Sequence, residues 1–318
     1  MRTMAQFSYR EEPGRQLEKP LHPRTSPVEA DTHIPQVSIV TPYYNSDAHL
    51  EQTFWCVMNQ TLEDFEWIIV DDGSSKPEAV QELERLAAMD ARIRVLYQEN
   101  SGQSMAKNHG IRMSKADIIV FLDADDLIEN FYIELLCKTL TEHPNAAWSY
   151  TDLVGFGAWE YAWVKPFCAG RMTFNNTLVN AAAFRKKVLQ DVGCFDEVYK
   201  HYDEDWALYL KLLGAHYHPV HVPVIGFWYR RSDTGMQQTV RRDDALRRES
   251  DAYMATLAGQ VDIHIRGEEY RGELPEQAVV TTYSRKEKLL AKLLSTKPGL
   301  QLIAGQYQKK AKKREEAR

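Results

Sequence analysis

Three carboxylates directly follow a short apolar run in the segment IIVFLDADDL. Residues 118–122 have the composition of a buried strand, and Asp123, Asp125 and Asp126 crowd its carboxyl end. Negative charges this close repel one another, so they are costly to leave unpaired. Mg²⁺ and Mn²⁺ prefer oxygen ligands, usually one or two carboxylates together with phosphate oxygens. The spacing indicates either a divalent-metal site or a solvated turn whose carboxylates cap a helix.

Three motifs with related signatures do not fit this segment. A phosphatase of the haloacid dehalogenase type needs D-x-D-x-[TV], whereas Leu127 follows Asp126 here. A calcium-binding EF-hand loop needs glycine at its sixth position, which Ile128 occupies. A dinucleotide-binding fold needs G-x-G-x-x-G after its first strand, and TPYYNS contains no glycine.

Strands and helices alternate through the first half of the chain. Buried strands are predicted in QVSIVTPYYN, FEWIIVDDGSS, RIRVLYQEN and DIIVFLDADD, and helices in DAHLEQTFWCVMNQTL, KPEAVQELERLAAMD and GQSMAKNHGIRMSKA. This alternation predicts an α/β fold with a mostly parallel central sheet flanked by helices. Ligands bind such sheets beyond the carboxyl ends of the strands. Four polar clusters fall there, at 41–45, 71–75, 99–103 and 123–126.

The second half is less regular. AAWSYTDLVGFG, WEYAWVKPF and HYHPVHVPVIGFWYRR are predicted to be extended, and NNTLVNAAAFRKKVLQDVGCFDE and EDWALYLKLLGA to contain helices. Three histidines, His216, His218 and His221, raise the question of a zinc site. They have no carboxylate or cysteine at ligand spacing, so we predict partly exposed strand histidines.

The charge is distributed unevenly along the 318 residues. The net charge is -6, but residues 284–318 carry eleven Lys or Arg against three Glu, and residues 1–283 carry 28 basic against 42 acidic side chains. An acidic body excludes a core that binds nucleic acid. No apolar run is long enough for a membrane span, and the first residues do not resemble a secretory signal. The four cysteines form no CxxC pair, which predicts reduced, buried thiols in a cytoplasmic protein.

The basic tail contains a predicted amphipathic helix in SRKEKLLAKLLSTKPGL. Its four leucines at 289, 290, 293 and 294 share one side, with lysines and an arginine on the flanks. Two roles fit this pattern. The helix either packs on the catalytic body or mediates self-association, or it lies on an anionic membrane surface.

Five fragments together resemble glycosyltransferase family 2, the inverting sugar transferases with a GT-A fold. They are VSIVTPYYN, QTLEDFEWIIVDDGSS, GQSMAKNHGI, IIVFLDADD and YDEDWALYLKLLG, in the family's order and spacing. The resemblance implies a GT-A domain at 36–240, with a nucleotide-sugar half at 36–130 and an acceptor half at 131–240. A flexible arm at 1–35 and a helical extension with a basic tail at 241–318 would flank it.

The resemblance also implies how the donor is bound. Thr41, Tyr43 and Asp72 would form the pocket for the nucleotide base, with Tyr43 stacking on the ring and Asp72 accepting from a base N–H. Asp123 and Asp125 match the family's DxD pair, which contacts the ribose and a Mn²⁺ or Mg²⁺ ion.

Other roles follow from the same resemblance. Asp126 would be an extra metal ligand or a structural cap. Lys107 stands where many members carry Arg, and its charge can offset phosphate without the bidentate geometry of a guanidinium. Asp205 resembles the catalytic base, with Glu204 and Trp206 in the acceptor region. Without the resemblance, this acidic stretch would be ordinary at a helix N-terminus.

One departure concerns the metal. Many relatives have YR-x-H after the last core strand, where the histidine can reach the metal, but residues 229–232 read YRRS. Either Asp233 substitutes for the histidine or the metal lacks that ligand.

The sequence thus predicts a metal-dependent inverting glycosyltransferase. It would move a sugar from a nucleotide-diphosphate donor, expected to be UDP-linked, to a glycan or lipid-linked acceptor in surface polysaccharide or glycolipid synthesis at the inner face of the plasma membrane. A sugar nucleotidyltransferase is one alternative, but it needs a Gly-rich, Arg-containing loop that residues 41–47 lack. A non-catalytic nucleotide-sugar-binding module is another, favoured if Asp205 points away from the pocket.

Overall fold

A computed structural model describes most of the chain between residues 33 and 262. The described residues are 33–158, 160–164, 166–197, 203–232 and 243–262. Nearly all of the predicted N-terminal arm, the predicted basic helix of the tail and Asp233 lie outside them, so the predictions for these parts stay predictions.

Nine strands and eight helices occur in the described residues. The strands are β1 (Val37–Tyr43), β2 (Phe65–Asp71), β3 (Ile93–Tyr97), β4 (Ile118–Phe121), β5 (Leu127–Ile128), β6 (Trp148–Gly157), β7 (Tyr161–Trp163), β8 (Ala183–Arg185) and β9 (Pro219–Arg231). The helices are α1 (Asp47–Met58), α2 (Pro77–Met89), α3 (Gln103–Met113), α4 (Tyr132–Glu142), α5 (Ala169–Met172), α6 (Lys186–Asp191), α7 (Glu204–Gly214) and α8 (Asp244–Gln260).

The strands form one mixed sheet in the order β3-β2-β1-β4-β8-β6-β9-β5, with β7 paired to β6. β3, β2, β1 and β4 pair in parallel, as do β6 and β9, while the short strands β5, β7 and β8 pair antiparallel. The predicted α/β sheet flanked by helices is therefore confirmed, and its parallel half holds the polar strand ends.

Burial explains why the parallel half forms. All seven residues of β2 are buried, as expected for a strand covered on both faces. Leu50, Phe54 and Val57 of α1 have no exposed surface, so one face of this predicted helix packs into the core. A Cβ atom on Gly110 would lie 2.3 Å from a methyl carbon of Val40, so only glycine lets α3 approach β1 this closely.

Helix α8 packs against α7 in the acceptor half. Met254 and Leu257 of α8 are buried there. Ser250 Oγ donates to Asp203 Oδ2 at 2.9 Å, directly before the first residue of α7. The start of α7 is thus held by a helix that comes later in the chain.

The histidine prediction needs correction. His218 and His221 are buried rather than partly exposed, and His221 Nε2 lies 2.8 Å from Asp152 Oδ1. This partner could not be predicted from local patterns, because 69 residues separate the two. In the part of the chain that the structure describes, no three His, Cys, Asp or Glu side chains converge as metal ligands.

All four cysteines are free thiols, as predicted. Only Cys137 is fully buried, whereas Cys56, Cys168 and Cys194 are partly exposed.

Among the described helices, none has both the length and the hydropathy that crossing a membrane requires.

Candidate active site

The carboxylate loop after β4 is held from two sides. Leu122 N donates to Val40 O at 3.1 Å, which continues the pairing with β1 up to the loop. On the other side, Thr53 Oγ1 of α1 lies 2.9 Å from the carbonyl oxygens of both Ala124 and Asp126. The backbone of the loop is therefore fixed before any ligand binds.

Asp126 takes a structural position. Its side chain is buried, and its Oδ1 accepts from Arg230 N of β9 at 2.7 Å. Burial and the neighbouring carboxylates of Asp125 and Asp123 raise its pKa well above the ordinary value. Of its two predicted roles, the structural cap fits this placement.

Asp123 and Asp125 are the partly exposed members of the loop. Asp123 Oδ1 lies 3.4 Å from Gln103 Nε2 and 3.9 Å from Lys107 Nζ. Burial raises the pKa of both carboxyl groups, and repulsion from Asp123 helps to raise the pKa of Asp125 to about 6. A divalent cation would relieve this repulsion, and a pair of carboxylates completed by phosphate oxygens is a usual ligand set for Mg²⁺ or Mn²⁺.

Lys107 connects this loop to the acceptor half. Its side chain has no exposed surface, and its Nζ lies 2.9 Å from Glu204 Oε1 of α7. Burial by itself lowers the pKa of Lys107, but the carboxylates of Glu204 and Asp123 raise it above its ordinary value. The lysine is thus charged, and its charge offsets the carboxylates around it.

Asp205 is in the same cluster of charges. Its Oδ1 accepts from Asn176 Nδ2 at 3.1 Å and from Trp206 N at 2.7 Å. Burial and the adjacent Glu204 carboxylate raise its pKa to about 8, against the opposing charge of Lys107. A carboxylate with this pKa is a stronger proton acceptor than an ordinary aspartate. The non-catalytic alternative would be favoured if Asp205 pointed away from the pocket, and here its carboxylate lies among the charges of Glu204 and Lys107.

Trp206 has a positioning contact that sequence reasoning missed. Its Nε1 donates to Met172 O at 2.6 Å, which ties the first turn of α7 to α5. Asn176, four residues after Met172, was also missed as the partner of Asp205. It lies in an irregular segment, where no periodic pattern distinguishes it from other polar residues.

The predicted base pocket is only partly at the surface. Thr41 has no exposed surface, and its Oγ1 accepts from Trp67 Nε1 at 2.9 Å. Tyr43 is 1% exposed, and its hydroxyl donates to Ala79 O of α2. Stacking on a base needs an exposed ring face, so the stacking prediction for Tyr43 does not fit this placement. The next residue, Tyr44, is 49% exposed and is the tyrosine at this strand end that could stack.

Asp72 is a structural acceptor in this structure. Its carboxylate accepts from Gln98 Nε2 at 2.7 Å and from the backbone N–H groups of Ser101 and Gly102 at 2.8 Å each. These bonds fix the loop that precedes α3 and so the helix that carries Lys107. Its contact with a nucleotide base stays a prediction.

The fold and the site together define a class of protein. Carboxylates at the end of the central strand β4 are connected through Lys107 to the acidic start of α7. The model of glycosyltransferase family 2, "Glycosyl transferase family 2", matches residues 38–195. Residues 38–195 of the chain therefore belong to this family.

Two curated relatives from bacteria are named glycosyltransferases. The chain is 39% identical over 125 residues to EpsJ of Bacillus subtilis, covering 39% of this chain and 34% of EpsJ. It is 36% identical over 107 residues to the glycosyltransferase GlyG of Streptococcus pneumoniae, covering 33% of this chain and 35% of GlyG. The matched region thus spans about a third of these relatives' own length.

Solved structures of TarS from S. aureus share the fold. TarS residues 1–349 in complex with UDP-GlcNAc superpose with a TM-score of 0.56 at 17% identity, over 64% of this chain and 61% of that one. The complex with UDP gives a TM-score of 0.55 at 15% identity, over 86% and 82%. These likenesses confirm the GT-A-type fold.

Proposed function

We propose that this family 2 glycosyltransferase is a metal-dependent inverting enzyme. It moves a sugar from a nucleotide-diphosphate donor, a UDP-sugar, to a hydroxyl of a glycan or lipid-linked acceptor in surface polysaccharide or glycolipid synthesis. One observation carries the proposal. The carboxylate pair of the donor half and the acidic start of α7 lie in a single charge cluster, joined by the buried Lys107 between Asp123 and Glu204.

Asp123 and Asp125 are the residues that would hold Mn²⁺ or Mg²⁺. The ion, when bound, offsets the negative charge that develops on the departing nucleotide diphosphate. The charge of Lys107 attracts Asp123, and the hydrogen bonds to the backbone of the loop fix the position of Asp125. These residues therefore stabilise the leaving group at one side of the transferred sugar.

Asp205 takes the acceptor's proton at the other side. The acceptor oxygen forms its bond to the anomeric carbon as the bond to the phosphate oxygen breaks, and the hydroxyl proton passes to the carboxylate. Both hydrogen bonds described for Asp205 fall on Oδ1, so Oδ2 is the oxygen presented to the acceptor. Attack from the face opposite the leaving group inverts the anomeric centre.

Nucleotide protection tests the proposal most directly. Nucleotides and nucleotide sugars are screened for protection of the full-length chain against thermal unfolding, with and without Mn²⁺ or Mg²⁺. We expect UDP and a UDP-sugar to raise the unfolding temperature only with metal. The complex of TarS with UDP-GlcNAc supports this choice of nucleotide. Absence of protection by every nucleotide and nucleotide sugar would contradict the proposal.

The raised pKa of Asp205 predicts the pH dependence of transfer. Only the carboxylate form accepts a proton, so kcat/KM at saturating metal should rise about tenfold per pH unit up to about pH 8 and then level. The charged groups that act on Asp205 are Glu204, Asp203 and Lys107. Glu204→Gln removes the anion whose repulsion raises the pKa of Asp205, so this change lowers that pKa.

We therefore expect the inflection of the Glu204→Gln profile to lie at lower pH than that of the wild type. Initial rates across about pH 6 to 9 measure it. An inflection that does not move, or a flat profile in the wild type, would show that Asp205 does not limit the reaction in this range.

A membrane contact through residues 284–318 is part of the same proposal. A basic amphipathic helix gains about 1 kcal/mol per Lys or Arg near an anionic surface, which would bring the enzyme to a lipid-linked acceptor. Full-length protein should float with liposomes in proportion to their anionic lipid content, and a chain ending before Ser284 should not. Flotation that ignores truncation and salt, or that does not occur, would assign the tail to packing or self-association.

A further inference from the structure

The turn after α5, which is bonded to the start of α7, presents an aromatic ring to solvent. Phe174 is 77% exposed, the highest value among the large apolar side chains of the described residues. A single exposed apolar residue is ordinarily of no consequence. This one differs because of what holds the turn on either side of it.

The turn is tied twice to the first turn of α7. Before the phenylalanine, Met172 O accepts from Trp206 Nε1 at 2.6 Å. After it, Asn176 Nδ2 donates to Asp205 Oδ1 at 3.1 Å. Phe174 lies midway between these anchors, two residues from each. The turn that carries Phe174 is therefore bonded, on both sides of the ring, to the helix start that carries Asp205.

The turn is also fixed internally. The backbone N–H groups of Phe174 and Asn175 both donate to Arg171 O at 3.0 Å, and Thr173 Oγ1 donates to Gly170 O at 2.7 Å. Met172 and Thr173 are buried under the turn. Because the backbone of the turn is already fixed, the exposed ring loses little conformational freedom when a ligand packs against it.

The chemistry of the acceptor matches such a ring. A pyranose carries hydroxyls around its rim and C–H groups on its faces, so one face can cover an aromatic ring while a rim hydroxyl reaches a neighbouring carboxylate. Aromatic side chains combined with a few placed polar groups are the usual lining of small-molecule sites. Phe174 supplies the apolar surface, and Asp205 and Asn176 supply the polar groups.

We propose that Phe174 is a stacking platform for a pyranose ring of the acceptor, positioned so that a hydroxyl of that sugar reaches Asp205 Oδ2. The acceptor is therefore a carbohydrate at its reactive end, whether the rest of it is glycan or lipid. This inference rests on the proposed function and identifies the substrate class at its acceptor side.

The test uses full-length protein saturated with UDP and Mn²⁺. Binding of the methyl α- and β-pyranosides of glucose, galactose, mannose and N-acetylglucosamine is followed by saturation-transfer NMR. Wild type, Phe174→Ala and Phe174→Trp are compared, with Met113→Ala as the control. Met113 is also an exposed apolar residue, 43% exposed, but lies at the end of α3.

At least one pyranoside should receive saturation on its ring C–H protons from the wild type. Phe174→Ala should weaken this binding about tenfold, since an aromatic contact of ordinary strength is lost. Phe174→Trp should retain the binding, and Met113→Ala should match the wild type. Equal binding by Phe174→Ala, or UDP binding without any pyranoside binding in the wild type, would overturn the platform.

Protection by UDP separates the two proposals. All four proteins should be protected equally, because Phe174 is outside the donor half. If no nucleotide or nucleotide sugar protects even the wild type, the proposed function fails and the platform with it. If UDP protects all four proteins but Phe174→Ala binds the pyranosides normally, only the platform is wrong.

Discussion

Asp205→Asn should lower the rate of sugar transfer by about 10²-fold or more while leaving donor binding unchanged. The amide has the same shape and can still accept from Asn176 and from Trp206 N, so the start of α7 keeps its contacts. It cannot take up the proton of the acceptor hydroxyl. Initial rates of transfer give the loss, and metal-dependent protection by UDP against unfolding shows that the donor site is intact.

Asp191→Asn is the matched control for this variant. Asp191 is an exposed aspartate at the end of α6, paired with Lys187 and with the hydroxyl of Tyr217, and exposed pairs contribute little to stability. The control should transfer at the wild-type rate. Near-normal transfer by a folded Asp205→Asn protein would mean that another group is the base, with Glu204 the next candidate.

The parallel half of the sheet could be predicted because its signals are local. Each of its strands is an apolar run that ends in polar residues, and a helix with an apolar stripe follows. Strands β5 and β8 were not predicted, since two and three residues carry no readable alternation. Helix α4 was overlooked, although its buried Ile133, Leu136 and Leu140 have helical spacing.

The adjacent residues Tyr43 and Tyr44 show a further limit of prediction from the sequence. Tyr43 is the last residue of β1 and Tyr44 the first beyond it, and only Tyr43 is buried. Nothing in the local pattern says which of the two tyrosines is buried, because they are the same residue type. The bond from the hydroxyl of Tyr43 to Ala79 O decides it, and that contact depends on how α2 packs.

The carboxylates of the site were predicted, but most of their partners were not. Asp123, Asp125 and Asp205 come from short segments that resemble the family's motifs. The ion pair of Lys107 with Glu204 spans 97 residues, and the bond of Asn176 to Asp205 spans 29. Pairings between distant segments follow from tertiary packing, which a single sequence does not reveal.

Asp125→Asn should abolish the metal dependence of nucleotide binding while leaving the fold intact. The carboxylate is partly exposed, and the loop is fixed by the bonds of Thr53 Oγ1 to its carbonyl oxygens and of Arg230 N to Asp126. An amide oxygen is a neutral ligand and holds a divalent cation far less well than a carboxylate. UDP protection measured against Mn²⁺ and Mg²⁺ concentration should therefore lose its metal-dependent part in this variant.

Lowering the pH should weaken metal binding by Asp125. The pKa of Asp125 is raised to about 6, so below that pH a proton competes with the metal for the carboxylate. The metal concentration that gives half-maximal UDP protection should accordingly increase as the pH falls through about 6. In Asp125→Asn this dependence should disappear.

Asp126→Asn is the contrasting variant, because it changes the adjacent aspartate in the same loop. Asp126 is buried and accepts from Arg230 N, a bond that an asparagine oxygen can also accept. The metal requirement of UDP binding should therefore survive in Asp126→Asn. Equal affinity of the wild type for UDP with and without metal would rule out Asp125 as a ligand. Loss of the metal requirement in Asp126→Asn would instead make Asp126 the ligand and contradict its structural role.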